Sequence, residues 1–348
     1  MREWRLAPMT YGMALALMVG WLLWVGKPVL LPIISAIVAL YILTAAAEAL
    51  VKVPLLGGAP LWARRLLVLL AFTLSVALLF VLVITNFTRV AAALPGYEAN
   101  LDRIVAGFAD VFGFEDQPTW AALQAETFGR INTRQLITPL VQSIGGFGGT
   151  LFLIVLYVSF FVNERAHFAR KLALAAGTPD KGARALEVLT RINERIGNYL
   201  LVKTLVNVVL GAASFVIMWL IGIEFALFWA VLIGFLNYIP YFGSMLGVLF
   251  PVLLSLAQFG SLGMAALSLV ALAAAQIYVG GVLEPKLMGR AFNLSPLFVL
   301  LALAFWGALW GIPGAILAVP LTASLVIVLA EIPETRPAAI IMSANGRV

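Results

Sequence analysis

From residue 200 onward, polar side chains are scarce enough to be weighed one at a time. Lys203 and Glu284 carry charge, and Asn207, Asn237 and Gln276 carry amides. Lys203 stands four residues before Asn207, which puts the two on one face of a helix. Gln276 stands two helical turns before Glu284, roughly on the same face. A carboxylate in such a setting can bind a cation or take up a proton, and amides can hydrogen-bond a polar solute. An ionisable group in an apolar span costs about 2.5–3.5 kcal/mol on insertion scales, so each needs a partner or an aqueous cavity. Two plainer readings stand beside these. Lys203 could snorkel to a membrane surface. Glu284 could be a surface carboxylate paired with Lys286 or Arg290. Glu224, in Gly222-Ile223-Glu224, reads as a turn residue.

Two interruptions of the apolar sequence belong with these side chains. Asn237-Tyr238-Ile239-Pro240-Tyr241-Phe242-Gly243-Ser244 sets polar groups, a proline and a glycine in the middle of an apolar stretch. Pro240 cannot donate to a helical ladder, and Gly243 allows unusual backbone angles. Gly311-Ile312-Pro313-Gly314, followed by Pro320, is the second break. Backbone groups freed in a bilayer must be satisfied inside protein or line an aqueous cavity, and transporters bind solutes and ions at such breaks. Asn237 and Tyr241 are therefore candidate contacts to solute or ion, with Glu284, Gln276, Lys203 and Asn207. Pro240, Gly243, Gly311, Pro313, Gly314 and Pro320 are candidate hinge or broken-helix backbone. A short surface loop is the alternative for the first break.

The elements that must position these residues follow from composition. Of 348 residues, 63% are apolar and 11% are charged. Soluble domains average about 45–50% apolar and about 25% charged, so an ordinary soluble enzyme is excluded, as are disorder and coiled coil. A polytopic, all-α membrane protein remains. There is no Cys, and His167 is the one His, which removes thiol chemistry and His-rich metal sites.

Eight to ten membrane-embedded segments are expected, some of them broken or re-entrant. Tyr11–Val25 and Val29–Ala47 form a helical hairpin around Gly26-Lys27-Pro28, and Leu66–Thr85 is a third span. Residues 1–86 make this first division of the chain. Residues 87–148 hold ten charges and read as a helical region outside the bilayer. There Leu101, Ile104, Val105, Phe108, Val111 and Phe112 share a face, and Asn132 is an N-cap candidate for a further helix carrying Leu136, Leu140 and Val141. Residues 149–199 pair a fourth span, Thr150–Val162, with a charged helix whose Glu187 and Arg191 are spaced for an i,i+4 pair. Residues 200–330 are the expected transport bundle: Leu200–Ile221, Phe225–Phe235, Gly247–Phe259, Met264–Val282, Leu297–Trp310 and Ile316–Leu329. Several of these runs are short for a span. Residues 331–348 are a tail.

Charge sets the orientation. With the N-terminus inside and alternating sides, the inner segments carry 17 Lys/Arg and 9 Asp/Glu, and the outer ones 5 and 7. That matches the positive-inside rule with both termini cytoplasmic. The net charge of +6 is thereby assigned to orientation and lipid headgroups, not to nucleic acid.

Four blocks carry a resemblance. They are Gly234-Phe235-Leu236-Asn237-Tyr238-Ile239-Pro240-Tyr241-Phe242-Gly243, Val282-Leu283-Glu284-Pro285-Lys286-Leu287-Met288-Gly289, Leu294-Ser295-Pro296, and Trp306-Gly307 through Trp310-Gly311-Ile312-Pro313-Gly314-Ala315-Ile316-Leu317-Ala318-Val319-Pro320. In this order they resemble the autoinducer-2 exporter family, and the layout agrees over nearly the whole chain. The resemblance implies an inner-membrane permease linked to the quorum-sensing furanone autoinducer-2, with sodium(lithium)/proton antiport in some members. It also implies a homo-oligomer, most often a pentamer, with an elevator-like moving part.

The leading expectation is therefore a secondary transporter exporting a small polar organic solute, with the lipid bilayer, the solute and Na+ or H+ as partners. No Walker motif is present, so ATP is not the direct drive, and no cofactor is expected. Cation/proton antiport through Glu284 is the second reading, and a non-transporting scaffold or channel the third. An enzyme lacks the clustered acid–base chemistry it would need.

Overall fold

A computed structural model describes residues 6–50, 58–112, 119, 133–288 and 293–347. Asn132 and Arg290 lie outside the described residues. Among the described residues the protein is helical, with no strand beyond a single antiparallel bridge between Leu294 and Ser343. Thirteen α-helices are used below: α1 (Leu6–Val25), α2 (Lys27–Ala49), α3 (Leu61–Ala93), α4 (Glu98–Phe112), α5 (Thr133–Ala175), α6 (Pro179–Ile221), α7 (Ala226–Leu236), α8 (Phe242–Phe259), α9 (Leu262–Tyr278), α10 (Glu284–Met288), α11 (Pro296–Trp310), α12 (Ile312–Glu331) and α13 (Arg336–Met342). A 3₁₀ turn, Leu94–Tyr97, precedes α4, and a π turn, Val279–Leu283, joins α9 to α10.

Among the described residues, six helical stretches are long and apolar enough to cross a bilayer. A seventh, in α5, is bent by 67° between Gly148–Val162 and His167–Ala175. The apolar stretches Thr10–Val25, Ala226–Leu236 and Pro296–Trp310 are shorter. The fold is thus the expected polytopic helical membrane protein. Leu70, Leu74 and Leu78 of α3 are exposed at four-residue spacing, as a lipid-facing stripe requires. Two of the helix starts that differ from expectation have a local cause. The last span begins at Ile312 instead of Ile316, because Pro313 falls in the first helical turn, where a missing N–H costs nothing. The span after the first break begins at Phe242 instead of Gly247, because the turn before it is completed within Pro240–Phe242.

The chain divides into two compact units. One comprises residues 1–61, 150–200 and 290–348. Within it Glu187 and Arg191 form the expected i,i+4 pair at 2.8 Å. Trp310 is fully buried and donates its indole N–H to the Leu23 carbonyl at 3.1 Å.

The other unit comprises residues 62–149 and 201–289. Its core packs Val206, Leu210 and Met218 of α6 against Phe228, Trp229 and Ile233 of α7, with Leu254 and Leu272 from α8 and α9. Between helices in lipid the hydrophobic effect contributes little, so close van der Waals packing and interhelical hydrogen bonds must carry the contact. Small residues allow it. A Cβ at Gly211 would stand 3.1 Å from the Ala230 carbonyl oxygen, and one at Gly234 would stand 3.0 Å from that of Asn207. Fully buried Ser255 and Ser268 join α8 to α9 through a 2.9 Å hydroxyl–hydroxyl hydrogen bond.

The amphipathic helix α4 is tied to this unit at its start. Asn100 donates its amide to the carbonyls of Ala257 (3.2 Å) and Gln258 (2.7 Å), satisfying the end of α8. Gln258 accepts from the Glu224 N–H at 2.9 Å and donates to the Gly222 carbonyl at 2.8 Å. The Tyr97 hydroxyl donates to the Glu224 carboxylate. Glu224 is thus the acceptor of a clamp that fixes the turn between α6 and α7. Burial of the phenol, with the Glu224 hydrogen bond and charge, pushes the Tyr97 pKa well above the ordinary 10.0. A phenol whose pKa is raised by folding stabilises the fold below its unfolded value, and that contribution is lost as pH climbs through the folded value. Thermal unfolding of the wild type is expected to lose midpoint above about pH 10. Tyr97→Phe is expected to lose that alkaline limb while unfolding at a lower midpoint near pH 7. An alkaline limb unchanged in the variant would remove Tyr97 from the clamp.

Candidate functional site

Every member of the polar set after residue 200, except Tyr241, meets within one unit. Lys203, Thr204 and Asn207 share a face of α6, as their spacing dictates. The Lys203 side chain is only 4% exposed, and its ammonium donates to Glu284 Oε1 at 2.7 Å. Lys203 therefore does not snorkel, and Glu284 is paired across the bundle with Lys203 instead of locally with Lys286. The reason is reciprocal. Each charge in an apolar bundle needs a partner, and each supplies the other's.

Four residues further along α6, Asn207 accepts from the Asn237 amide at 2.8 Å, and Asn237 in turn accepts from the Gln276 amide at 2.9 Å. Asn207 and Asn237 are both buried. The Tyr238 hydroxyl and Thr204 are 2.8 Å apart. Asn207 Nδ2 and Gln276 Oε1 are buried with no hydrogen-bond partner. One donor and one acceptor at the two ends of an amide chain are therefore left for something polar. Among the described residues no group of three or more His, Cys, Asp or Glu could hold a metal.

Local backbone chemistry delivers these side chains. α7 stops at Leu236, and the chain turns through Asn237–Tyr241 before α8 starts. Tyr241 has φ 64 and ψ −59, and the Phe242 N–H bonds the Pro240 carbonyl at 2.7 Å. That is a γ-turn of the rare, strained hand. Positive φ at a non-glycine of this kind costs on the order of 1–3 kcal/mol and persists only where the surroundings enforce it. The Ser244 hydroxyl donates to the Tyr241 carbonyl at 2.8 Å and helps to hold the turn. The Tyr241 side chain itself is 54% exposed.

Gly243 serves close approach instead of unusual angles. A Cβ there would stand 1.7 Å from the Leu236 carbonyl oxygen. The second break behaves alike in the other unit. Gly311 turns the corner between α11 and α12 with φ +69, and a Cβ at Gly314 would stand 2.0 Å from the Trp306 carbonyl oxygen. Pro313 lies in the first turn of α12 and Pro320 is buried inside it. These four residues shape a packed helical corner held by a 3.0 Å bond from the Trp306 indole to Thr322. They belong to the unit that does not contain the amide chain.

The placement of Glu284 depends on the π turn. Eight residues at about 100° each would set Glu284 about 80° round the helix from Gln276. A π turn absorbs one extra residue, which removes one such step and returns Glu284 close to the Gln276 face. The Glu284 N–H bonds the Val279 carbonyl, five residues back, and Pro285 has no N–H with which to resume the ladder. Thr204, Tyr238 and the Tyr97–Glu224–Gln258 clamp were absent from the sequence-derived candidates. Their signal was the same as that of Lys203: a polar side chain in or beside an apolar run.

These features define a polytopic helical membrane protein with a charge pair and an amide chain built into its apolar bundle. The family model described as AI-2E family transporter matches residues 12–334, and the chain belongs to that family of membrane transporters. It is similar to a putative transport protein of Borreliella burgdorferi, 37% identical over 53% of this chain and 51% of that protein. It is 27% identical to a putative transport protein of Haemophilus influenzae, over 77% of this chain and 78% of that protein. It is 31% identical to the AI-2 transport protein TqsA of Escherichia coli, over 60% of this chain. The chain thus spans about half the length of the Borreliella relative and 59% of the Escherichia coli one.

Gly243→Ala is expected to destabilise the protein by about 1–3 kcal/mol, because the methyl group meets backbone and not a movable side chain. Tyr241→Gly is expected to be neutral or stabilising, since glycine adopts positive φ without strain. Denaturant or thermal unfolding of the two variants checks both, and a tolerated Gly243→Ala would show that the turn is loose.

Proposed function

We propose that the protein is a secondary transporter of the inner membrane that exports a small polar organic solute, autoinducer-2-like in polarity, with both termini cytoplasmic. One observation carries the reading: in an apolar helical bundle, Asn207, Asn237 and Gln276 form a hydrogen-bonded chain whose ends offer an unpaired amide donor and an unpaired carbonyl oxygen. A hydroxylated or carbonyl-bearing solute can meet both groups, and the strained turn at Tyr241 is the element that has to move for it to enter. The printed name of the Escherichia coli relative supports autoinducer-2 as the first solute to try. Residues 200–330 serve as the transport bundle on this reading, and the working assembly is a homo-oligomer, taken as a pentamer from the family resemblance.

The Lys203–Glu284 pair favours a second reading, sodium/proton antiport. Protonation of Glu284 would free the Lys203 ammonium, and a sodium ion would have to displace that ammonium to reach the carboxylate. The two readings differ in which residues carry flux. Reconstituted vesicles are tested with a solute panel including autoinducer-2, with and without sodium and proton gradients. Asn237→Leu is expected to cut solute flux at least about tenfold, since the amides on either side lose their partner. Glu284→Gln is expected to abolish any pH-dependent sodium movement. Because that variant leaves Lys203 unpaired at a cost of about 3 kcal/mol, Lys203→Met/Glu284→Gln is the folding control. Wild-type solute flux in Asn237→Leu would overturn the first reading. Intact sodium movement in the folded double variant would overturn the second.

A further inference from the structure

The unit that lacks the amide chain carries a separate charged feature. A half-open cleft of about 460 Å³, its open mouth included, lies between α6, α12 and the chain end. Arg191, Arg195 and Arg347 line it together with Val326 and Ile327 of α12. Arg191 and Arg195 are four residues apart on α6, hence on one face.

The chain end is folded back to complete this cleft. The Ser295 N–H bonds the Met342 carbonyl at 3.0 Å, and the Ala344 N–H bonds the Asn293 carbonyl at 3.0 Å. The Asn293 amide donates to the Arg347 carbonyl at 2.6 Å. Five residues beyond α13 are thus tied to the segment before α11, and Arg347 is brought to the cleft as a result.

The acidic groups nearby leave positive charge over. Glu331 takes Arg191 at 2.9 Å and Arg184 at 3.5 Å, and Glu187 takes Arg191 at 2.8 Å. Among the described residues neither Arg195 nor Arg347 has an acidic partner. Two unpaired guanidiniums beside an apolar wall present both halves of an amphiphile-binding surface. Guanidinium forks match phosphate oxygens in geometry as well as charge. The position agrees. The cleft lies where α12 leaves its apolar run at Ala330–Glu331, and where the charged half of α6 gives way to apolar sequence at Leu200. Basic pockets between spanning helices at that level are suited to phosphate headgroups.

We infer that this cleft is a binding site for a phosphate-bearing anion, with Arg195 and Arg347 as its ligands, Arg191 as a fixed neighbour, and an anionic phospholipid headgroup as its source. The apolar wall of Val326 and Ile327 takes the first methylenes of the acyl chains.

The test uses the full chain in nanodiscs of phosphatidylcholine alone, of phosphatidylcholine with phosphatidylglycerol, and of phosphatidylcholine with inorganic phosphate added. Thermal midpoint and retained lipid by native mass spectrometry are the readouts. Phosphatidylglycerol is expected to raise the midpoint of the wild type and to be retained. In R195Q/R347Q the apparent affinity is expected to fall by about tenfold or more. R195K/R347K is expected to recover part of it, as charge without the fork allows. Both arginines are exposed, so the variants are expected to fold, and elution volume in size-exclusion chromatography reads this. R170Q/K181Q removes two exposed charges elsewhere in the same unit and is expected to respond as the wild type does. Stabilisation by inorganic phosphate equal to that by phosphatidylglycerol, and lost in R195Q/R347Q, would keep the phosphate site and replace the lipid with a free anion. No response in the wild type, or equal losses in R195Q/R347Q and R170Q/K181Q, would overturn the site.

Discussion

A lysine ammonium placed among apolar helices has few tolerable environments, and the organisation of residues 201–289 follows from the one it finds. Lys203 on α6 meets Glu284, more than eighty residues later, at 2.7 Å. For that contact to exist, α6 and the start of α10 must lie side by side in one register. The same register brings Asn207 opposite Asn237 and Gln276. A buried ion pair is weak evidence of net stability, since two well-packed apolar residues can do as well. Its stronger effect is on specificity. A slip of one helix past its neighbour would strand both charges, so the pair selects a single arrangement of the bundle.

Small residues make that arrangement reachable. Gly211 and Gly234 let α6 and α7 approach to backbone contact, and the Ser255–Ser268 bond joins α8 and α9. At the far end of α8, Tyr97, Asn100, Glu224 and Gln258 satisfy the helix end and the turn between α6 and α7. Two of the polar groupings of this unit stand in contrast. One closes an end of the bundle through fully made hydrogen bonds. The other lies within it and leaves one donor and one acceptor unmet. A fully satisfied grouping is architecture, and the incompletely satisfied one is what supports the proposed solute site.

Much of this was legible in the chain itself. Low charge and long apolar runs gave the membrane fold, and the rarity of polar residues after residue 200 marked Lys203, Asn207, Asn237, Gln276 and Glu284. What spacing could not supply was partnership. Lys203 and Glu284 were weighed separately because their contact is non-local, and local alternatives such as Lys286 were equally consistent with the sequence. Glu224 looked like an ordinary turn residue because its partner Tyr97 lies in a different segment. The breaks were legible as breaks, and Gly311 does supply a positive φ, but at Gly243 and Gly314 the structure uses glycine as absence of volume and not as freedom. Gly243 and Gly314 are places where no side chain fits. Tyr241, one of two tyrosines in the first break, contributes backbone conformation.

The π turn at Val279–Leu283 gives the site a dependence on chain length that side-chain chemistry does not have. A π turn is one surplus residue carried within an otherwise regular helix. Loss of a single codon at Gly280 or Gly281 would leave every polar residue in place and every apolar span long enough. It would let the helix relax into an ordinary repeat in which Glu284, now seven residues and about 700° beyond Gln276, keeps the phase that the π turn gives it. One inserted residue that no second π turn absorbs would instead swing Glu284 about 100° out of phase with Lys203. The charge pair is therefore written in the reading length between Gln276 and Glu284 as much as in the identity of its two ends.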